Sequence, residues 1–333
     1  TAAIGDPYTV FLPPVQNQQA KEDLNGEFGG VGIQLGYLKR QLAVMAPLEG
    51  HPAKKAGVRA GDLILHIKDE AVGVDKDTGG LSLPEAVTLI RGKKGTSVTL
   101  TILHDKEDKP VEITLTRDTI TIPSVEVEMG ELKEGKWVKA DSGNVAWLKL
   151  HRFGENTDGE WLAAAEAIVK QRQAVTGFGG VVVDVRDNPG GFLNGSVFVG
   201  SEFIKDGTVV QQQGKSQSQT YQVNRRGRLT DVPVVVLVNK GSASASEITA
   251  GALRDRRGAK LVGEKSFGKG TVQNAEDLPN GAGLHVTVAR WLLPNGARIP
   301  EDGLEPTINV EDDKDTVEDE QLEKAVEVLL NKE

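Results

Sequence analysis

Cysteine is absent from all 333 residues, which removes thiol nucleophiles, thiolate metal sites and disulfide frameworks together. An excess of positive charge is also missing: 39 Lys and Arg against 48 Asp and Glu leave a formal charge of −9 and a pI near 5.3. That balance argues against nucleic acid or an anionic membrane surface as the main partner. Apolar runs stop at about seven residues, as in 232–238, which contains Pro233; a membrane span needs ~20. The five histidines (His51, His66, His104, His151 and His285) stand apart, and no His/Asp/Glu cluster has metal-ligand spacing. No metal and no cofactor is therefore expected. The chain opens on Thr1, and no basic stretch followed by an apolar run marks a signal peptide there. Composition alone leaves the compartment open.

Glycine is abundant instead, at 39 residues, about 12% against a usual ~7%. Many backbone positions are thus suited to positive φ or close approach. At ~150 residues per domain the length suggests two domains, enough to bury cores without staples.

Residues 1–27 hold a turn-forming Gly5-Asp6-Pro7-Tyr8 cluster and a polar stretch, and read as a lead-in to the main core. Residues 28–117 read as a small β-rich module. Val31, Ile33 and Leu35 alternate with period two, as do Val111, Ile113 and Leu115. One helical turn is expected at 52–57, and a short helix at 84–91 with Pro84 in its first turn and Gly92 as its stop. From 118 to 333 strands alternate with helices. Residues 180–185 and 234–238 are β-branched runs, apolar on both faces, as buried parallel strands are. Asp158 is the expected cap of a helix with Trp161, Leu162, Ala165, Ile168 and Val169 on one side. Residues 211–222 suggest an exposed hairpin, and Thr316 the start of a last helix bearing Leu322, Ala325, Val326, Leu329 and Leu330. The fold class read from this order is α/β (α+β), with the β-rich module inserted before or into a larger core.

Residues 234–248 carry the strongest chemical signal: a buried strand, then Gly241-Ser242-Ala243-Ser244-Ala245-Ser246, then a helix start for which Ser246 is a candidate cap. A serine hydroxyl on such a turn lies beside unsatisfied N–H groups and the positive end of the helix, which favour developing negative charge. A flexible loop with a capping serine is the plainer alternative. The serine needs a base. None of the histidines sits in a glycine-rich turn, whereas Lys269 does, in Phe267-Gly268-Lys269-Gly270. An ammonium becomes a base near neutral pH only if burial lowers its pKa; otherwise it is a solvated surface charge. A third segment, Asn188-Pro189-Gly190-Gly191, follows a buried strand and offers backbone N–H groups unobstructed by side chains, or is an ordinary turn.

Taken in this order, the three segments resemble the carboxy-terminal processing (tail-specific) proteases, Ser-Lys serine peptidases that carry a PDZ domain. The resemblance runs from Gly5-Asp6-Pro7-Tyr8-Thr9 to Gly303-Leu304-Glu305-Pro306. It implies a crotonase/Clp-like serine protease core with the PDZ domain at 28–117. It further implies Ser244 as nucleophile, Lys269 as general base, and Gln273 positioning the lysine. The N–H groups of Ala245 and of Gly190 or Gly191 would form the oxyanion hole, and Asp255 would give structural support. In the PDZ module, Gly30-Val31-Gly32-Ile33 resembles the carboxylate-binding loop, with Val87 and Arg91 on the opposite helix, and a C-terminal tail would add as a strand. Asp187 and Leu293 depart from the family's usual Asn and Thr. Implied partners are C-termini of protein or peptide substrates, a separate regulatory protein and a second copy of the chain. The implied location is exported: the bacterial periplasm or cell envelope, or the plastid lumen. Two other readings fit parts of the pattern. One is a silent PDZ scaffold. The other is a crotonase-type acyl-CoA enzyme, which would leave Ser244 and Lys269 idle.

Overall fold

The computed structural model describes residues 6, 8–38, 40–105, 107–312 and 318–331. The chain forms two compact units: residues 27–122, and residues 1–26 together with 123–333. The β-rich module is thus an insertion into the larger unit.

The larger unit is built on a seven-stranded sheet. Val145–Leu150, Gly180–Asp184, Val234–Val238, Lys260–Gly263 and Ile308–Asn309 run parallel, and Val125–Lys133 and Lys136–Lys139 extend the sheet antiparallel at one edge. The valine runs divide by parity. Val181, Val183, Val234, Val236 and Val238 enter one core with Trp161, Phe203, Ile248 and Leu253 of three helices, Thr157–Ala174, Leu193–Phe203 and Ala245–Arg257. Val182, Val235 and Leu237 enter a second core with Leu322, Ala325, Val326 and Leu329 of the final helix, Glu320–Asn331. Both sheet faces are covered, which is why these strands are continuously apolar. A second sheet places Gly283–Leu292 between Thr271–Asp277 on one side and Val10–Leu12 and Thr208–Gly214 on the other; the last pairs with Ser218–Gln222 as a hairpin.

Residues 27–122 form a six-stranded antiparallel sheet around Leu42, Val44, Ile64, Ile67, Val98, Leu100 and Ile102, with helices Pro52–Lys55 and Leu83–Ile90. Its ends meet: Glu27–Gly30 pairs antiparallel with Asp118–Thr121. A buried Arg117–Asp69 ion pair at 2.8 Å closes the unit, and Arg117 Nε also donates to Ile90 O at 2.8 Å.

Several local expectations need correction. Asn156, two residues before Asp158, is the N-cap of the helix Thr157–Ala174, without a side-chain capping bond; the turn closes there, with Gly154 N–H donating to Thr157 Oγ1 at 2.8 Å. Leu162 of that helix faces solvent, and Ala164 takes its place in the core. The helix Leu83–Ile90 ends on extended backbone at Arg91 rather than on a left-handed glycine; Gly92 N–H donates to Gly29 O instead. Gly5, Pro7 and Thr316 lie outside the described residues.

Candidate active site

Ser244, not Ser246, is the N-cap of Ala245–Arg257, at φ 56° and ψ −113°. An L residue held there costs about 1–3 kcal/mol, so the surroundings must impose it. They do so through the backbone on both sides. Ala243 N–H donates to Asn188 O at 3.0 Å, Phe267 N–H to Ser242 O at 3.0 Å, and Ser244 N–H to Glu247 Oε2 at 2.8 Å. Ser242 Oγ donates to Val185 O at 2.7 Å, and Ser246 Oγ to Asn188 O at 2.9 Å. The two serines flanking Ser244 are thus fully buried and engaged with backbone, while Ser244 is half-buried.

The turn after Gly180–Asp184 packs directly against this serine. Asn188 organises it, donating to Leu150 O at 2.6 Å and accepting Gly190 N–H at 2.9 Å. Gly190 has φ 101°, and a Cβ there would lie 2.9 Å from Ser244 Cβ and 3.1 Å from Ala245 N. Only glycine allows that approach. Gly191, at φ 138°, lies against Phe153 O, where a Cβ would come within 2.2 Å. Phe153 bonds to Gly190 O and to Phe192 N–H, so the N–H of Gly191 lies on the other edge of this extended segment. Among the described residues, neither that N–H nor the N–H of Ala245, first in its helix, has a protein acceptor. Two free donors and a helix N-terminus therefore flank the Ser244 turn, an arrangement suited to an oxyanion.

Lys269 lies on the loop between Lys260–Gly263 and Thr271–Asp277, and Glu247 ties this loop to the serine. Glu247 Oε1 accepts Ser266 Oγ–H at 2.6 Å and Gly268 N–H at 2.8 Å; Oε2 accepts Lys269 N–H at 2.9 Å as well as Ser244 N–H. Burial pushes the Glu247 pKa up against these four bonds. Burial pushes the Lys269 pKa down, with Glu247's charge opposing, and the ammonium has no ion-pair partner among the described residues. Gln273, paired with Thr287 across the sheet, donates through Nε2 to Tyr8 O, and the Tyr8 hydroxyl donates to Gly268 O at 3.3 Å. The lead-in thus braces the lysine loop. His285 lies close enough for burial and the charge of Lys269 to depress its pKa. Asp255 accepts from Arg254 Nε at 2.9 Å and Asn295 N–H at 3.3 Å. Asp187 (φ 54°) accepts from Asn239 Nδ2 at 3.0 Å, and Leu293 is buried.

Sequence reasoning gave no individual role to Glu247, Asn188 or Tyr8, although the last two stand in motifs named above. For Glu247 a signal was present, since Ser244-x-x-Glu247 before an apolar run is a capping-box pattern.

In the smaller unit, Leu48 N–H donates to Gly32 O and Ala53 N–H to Val31 O, both at 2.9 Å. These bonds hold the carbonyls to one side, so the N–H groups of Gly32 and Ile33 turn to the other. Gly32 has φ 74° and lies against His51. The strand Ile33–Leu38 is at the edge of its sheet, and the helix Leu83–Ile90, with Val87 partly exposed, packs beside it. The Arg91 guanidinium stacks 3.7 Å over the Phe28 ring.

Comparison with known proteins gives these features a family. The peptidase family S41 model matches residues 144–310, and a PDZ domain model matches 29–115. A carboxy-terminal-processing protease of Bartonella bacilliformis is 36% identical over 92% of this chain and 67% of its own length. A carboxyl-terminal-processing protease of Synechocystis sp. is 38% identical over 93% and 69%. A probable CtpA-like serine protease of Staphylococcus epidermidis is 35% identical, and this chain spans 58% of it. Among solved structures, a photosystem II D1 C-terminal processing protease shares 30% identity and a TM-score of 0.59, with 98% of this chain and 83% of that one covered. Fold and relatives together define a serine-type peptidase with an inserted PDZ domain. The chain belongs to peptidase family S41, among the C-terminal processing proteases.

Proposed function

We propose that this peptidase captures the C-terminal tail of a protein substrate in its PDZ module and cleaves it with a Ser244–Lys269 dyad. The observation that carries this reading is the lysine: half-buried, without an ion-pair partner among the described residues, its pKa lowered by burial, and on a loop bonded to the carboxylate that caps the serine. Neutral Lys269 takes the proton of Ser244 Oγ as that oxygen attacks the scissile carbonyl. The oxyanion is held by the N–H groups of Ala245 and Gly191; Gly190, whose N–H is engaged by Asn188, supplies the close approach. Lys269 then protonates the leaving amine, and water attacks the acyl-enzyme with Lys269 again as base. Gln273, held by Tyr8, keeps the lysine loop in register. Tail binding uses the N–H groups of the 30–33 loop and the open edge of Ile33–Leu38, with Val87 and Arg91 alongside. Tail occupancy also gates the site in this reading, a regulatory protein and self-association are further partners, and the cell envelope is the location it assigns, in keeping with the cysteine-free composition.

The test is cleavage of an unfolded protein with an apolar C-terminus by the parent, Ser244→Ala and Lys269→Ala. Both variants should be folded and inactive. The parent's kcat/KM should fall as pH drops through the lysine's depressed pKa, because only the neutral amine accepts a proton. Cleavage that survives Lys269→Ala would remove Lys269 as the base.

A further inference from the structure

We propose that Glu247 is the positioning residue that locks nucleophile to base, holding both through backbone N–H groups while presenting a negative charge to the lysine. The proposal rests on the Ser244–Lys269 reading and adds a member that neither the dyad nor its oxyanion hole contains. A carboxylate offers about four lone-pair sites, and all four here have donors. One donor is the N–H of Ser244, which is held at an unfavourable φ; the others are Ser266 Oγ and the N–H groups of Gly268 and Lys269, about twenty residues further along the chain. Glu247 is fully buried, so bulk solvent does not compete for these bonds. One side chain thereby fixes the relative placement of the two reacting residues, and a displacement of ~1 Å between such groups can cost about a hundredfold in rate.

The charge adds a second, separable effect. Burial favours the neutral amine of Lys269 and Glu247 opposes it. The carboxylate therefore holds the lysine's titration at a higher pH than burial alone would. The other ionisable groups facing this pair are Tyr8, whose pKa is raised by burial and by Glu247 and Glu301, and His285, which senses Lys269 and Asp277. Each titrates on its own, so each needs its own control.

Glu247→Gln separates positioning from mere packing. Its amide nitrogen would meet two donors where an oxygen accepted them, and its charge is gone. Lysine-selective NMR would follow the Lys269 side chain through a pH titration in the parent, Glu247→Gln, Tyr8→Phe and His285→Gln, alongside kcat and KM on the unfolded substrate. The expected result for Glu247→Gln is kcat lower by about a hundredfold, KM little changed, and a Lys269 titration moved to lower pH. Ser266→Ala, which removes one donor and keeps the charge, should lower kcat while leaving the titration where it was, and it serves if Glu247→Gln does not fold. An unmoved Lys269 titration in folded Glu247→Gln, or parent-like kcat, would overturn the proposal. An inactive parent would instead count against the Ser–Lys reading, and the titration would still decide the role of Glu247.

Discussion

Gly190 shows how one missing side chain shapes the site. Its φ of 101° and the 2.9 Å that a Cβ would leave to Ser244 Cβ mean that alanine must push apart the two turns it joins. The neighbouring atoms are backbone or short side chains on pinned turns, so they cannot swing away. Gly190→Ala is expected to lower kcat/KM by at least about a hundredfold, at a strain cost of about 1–3 kcal/mol in stability. Steady-state cleavage, fluorophosphonate labelling of Ser244 and thermal melting check this together. Parent-like labelling would show that Gly190 does not govern the reacting geometry. At this scale the sequence was only partly legible. The Ser244, Lys269 and Asn188–Gly191 segments stood out because small residues cluster there. Local propensity points to Ser246 as a candidate cap because it cannot encode a strained φ at Ser244, which contacts from residues 188 and 247 impose. The role of Glu247 was hidden for the same reason: three of its four donors come from 266–269.

The strands were the most legible elements, because a run such as Val234–Val238, buried on both faces, has few other ways to sit than as an inner strand of a covered sheet. The final helix was legible as an amphipathic stripe, but its tether was not. Arg186, just before the Asn188–Gly191 turn, donates Nη2 to Asp184 Oδ2 at 2.7 Å and to Asp319 Oδ2 at 2.8 Å, and Nη1 to Gln321 Oε1 at 3.1 Å. The helix that covers one sheet face is thereby tied to the strand end that leads into the Asn188–Gly191 turn. Burial opposes ionisation of Asp319, yet the hydrogen bonds and charge of Arg186 win and hold its carboxyl below the usual range. A carboxyl depressed in the folded state stabilises at pH above its unfolded value near 4, and that contribution is lost as pH falls through the lower folded value. Asp319→Asn should therefore lower the melting temperature at pH 7 but make little difference near pH 2. Arg186→Met, which strands two carboxylates, should cost about 3 kcal/mol at pH 7. Equal destabilisation by Asp319→Asn at both pH values would show that the tether is not electrostatic.

For the whole molecule, the decisive feature is that residues 27–122 enter and leave through paired strands, with Gly29 opposite Thr119. A unit whose ends already meet, with its own core around Leu42, Ile64 and Leu100 and its own buried Arg117–Asp69 pair, does not depend on the rest of the chain for its sheet. Expressed alone, residues 27–122 should fold cooperatively and bind a peptide with an apolar residue and a free carboxylate at its C-terminus. The carboxylate is the discriminating group. If the N–H groups of Gly32 and Ile33 hold it, two charge-assisted hydrogen bonds are lost when the same peptide is amidated. At ~1.5 kcal/mol or more for a bond to a charged group, affinity should fall at least about tenfold. Fluorescence anisotropy with the free-acid and amidated forms of one peptide measures the difference, and Gly32→Ala, which forces a Cβ onto His51 at positive φ, should remove binding of both. Equal affinity for the two peptides would mean that the module reads an extended strand wherever it lies in a substrate. The enzyme would then select exposed segments, and the position of its cut would follow from the distance between captured strand and Ser244, not from the end of the chain.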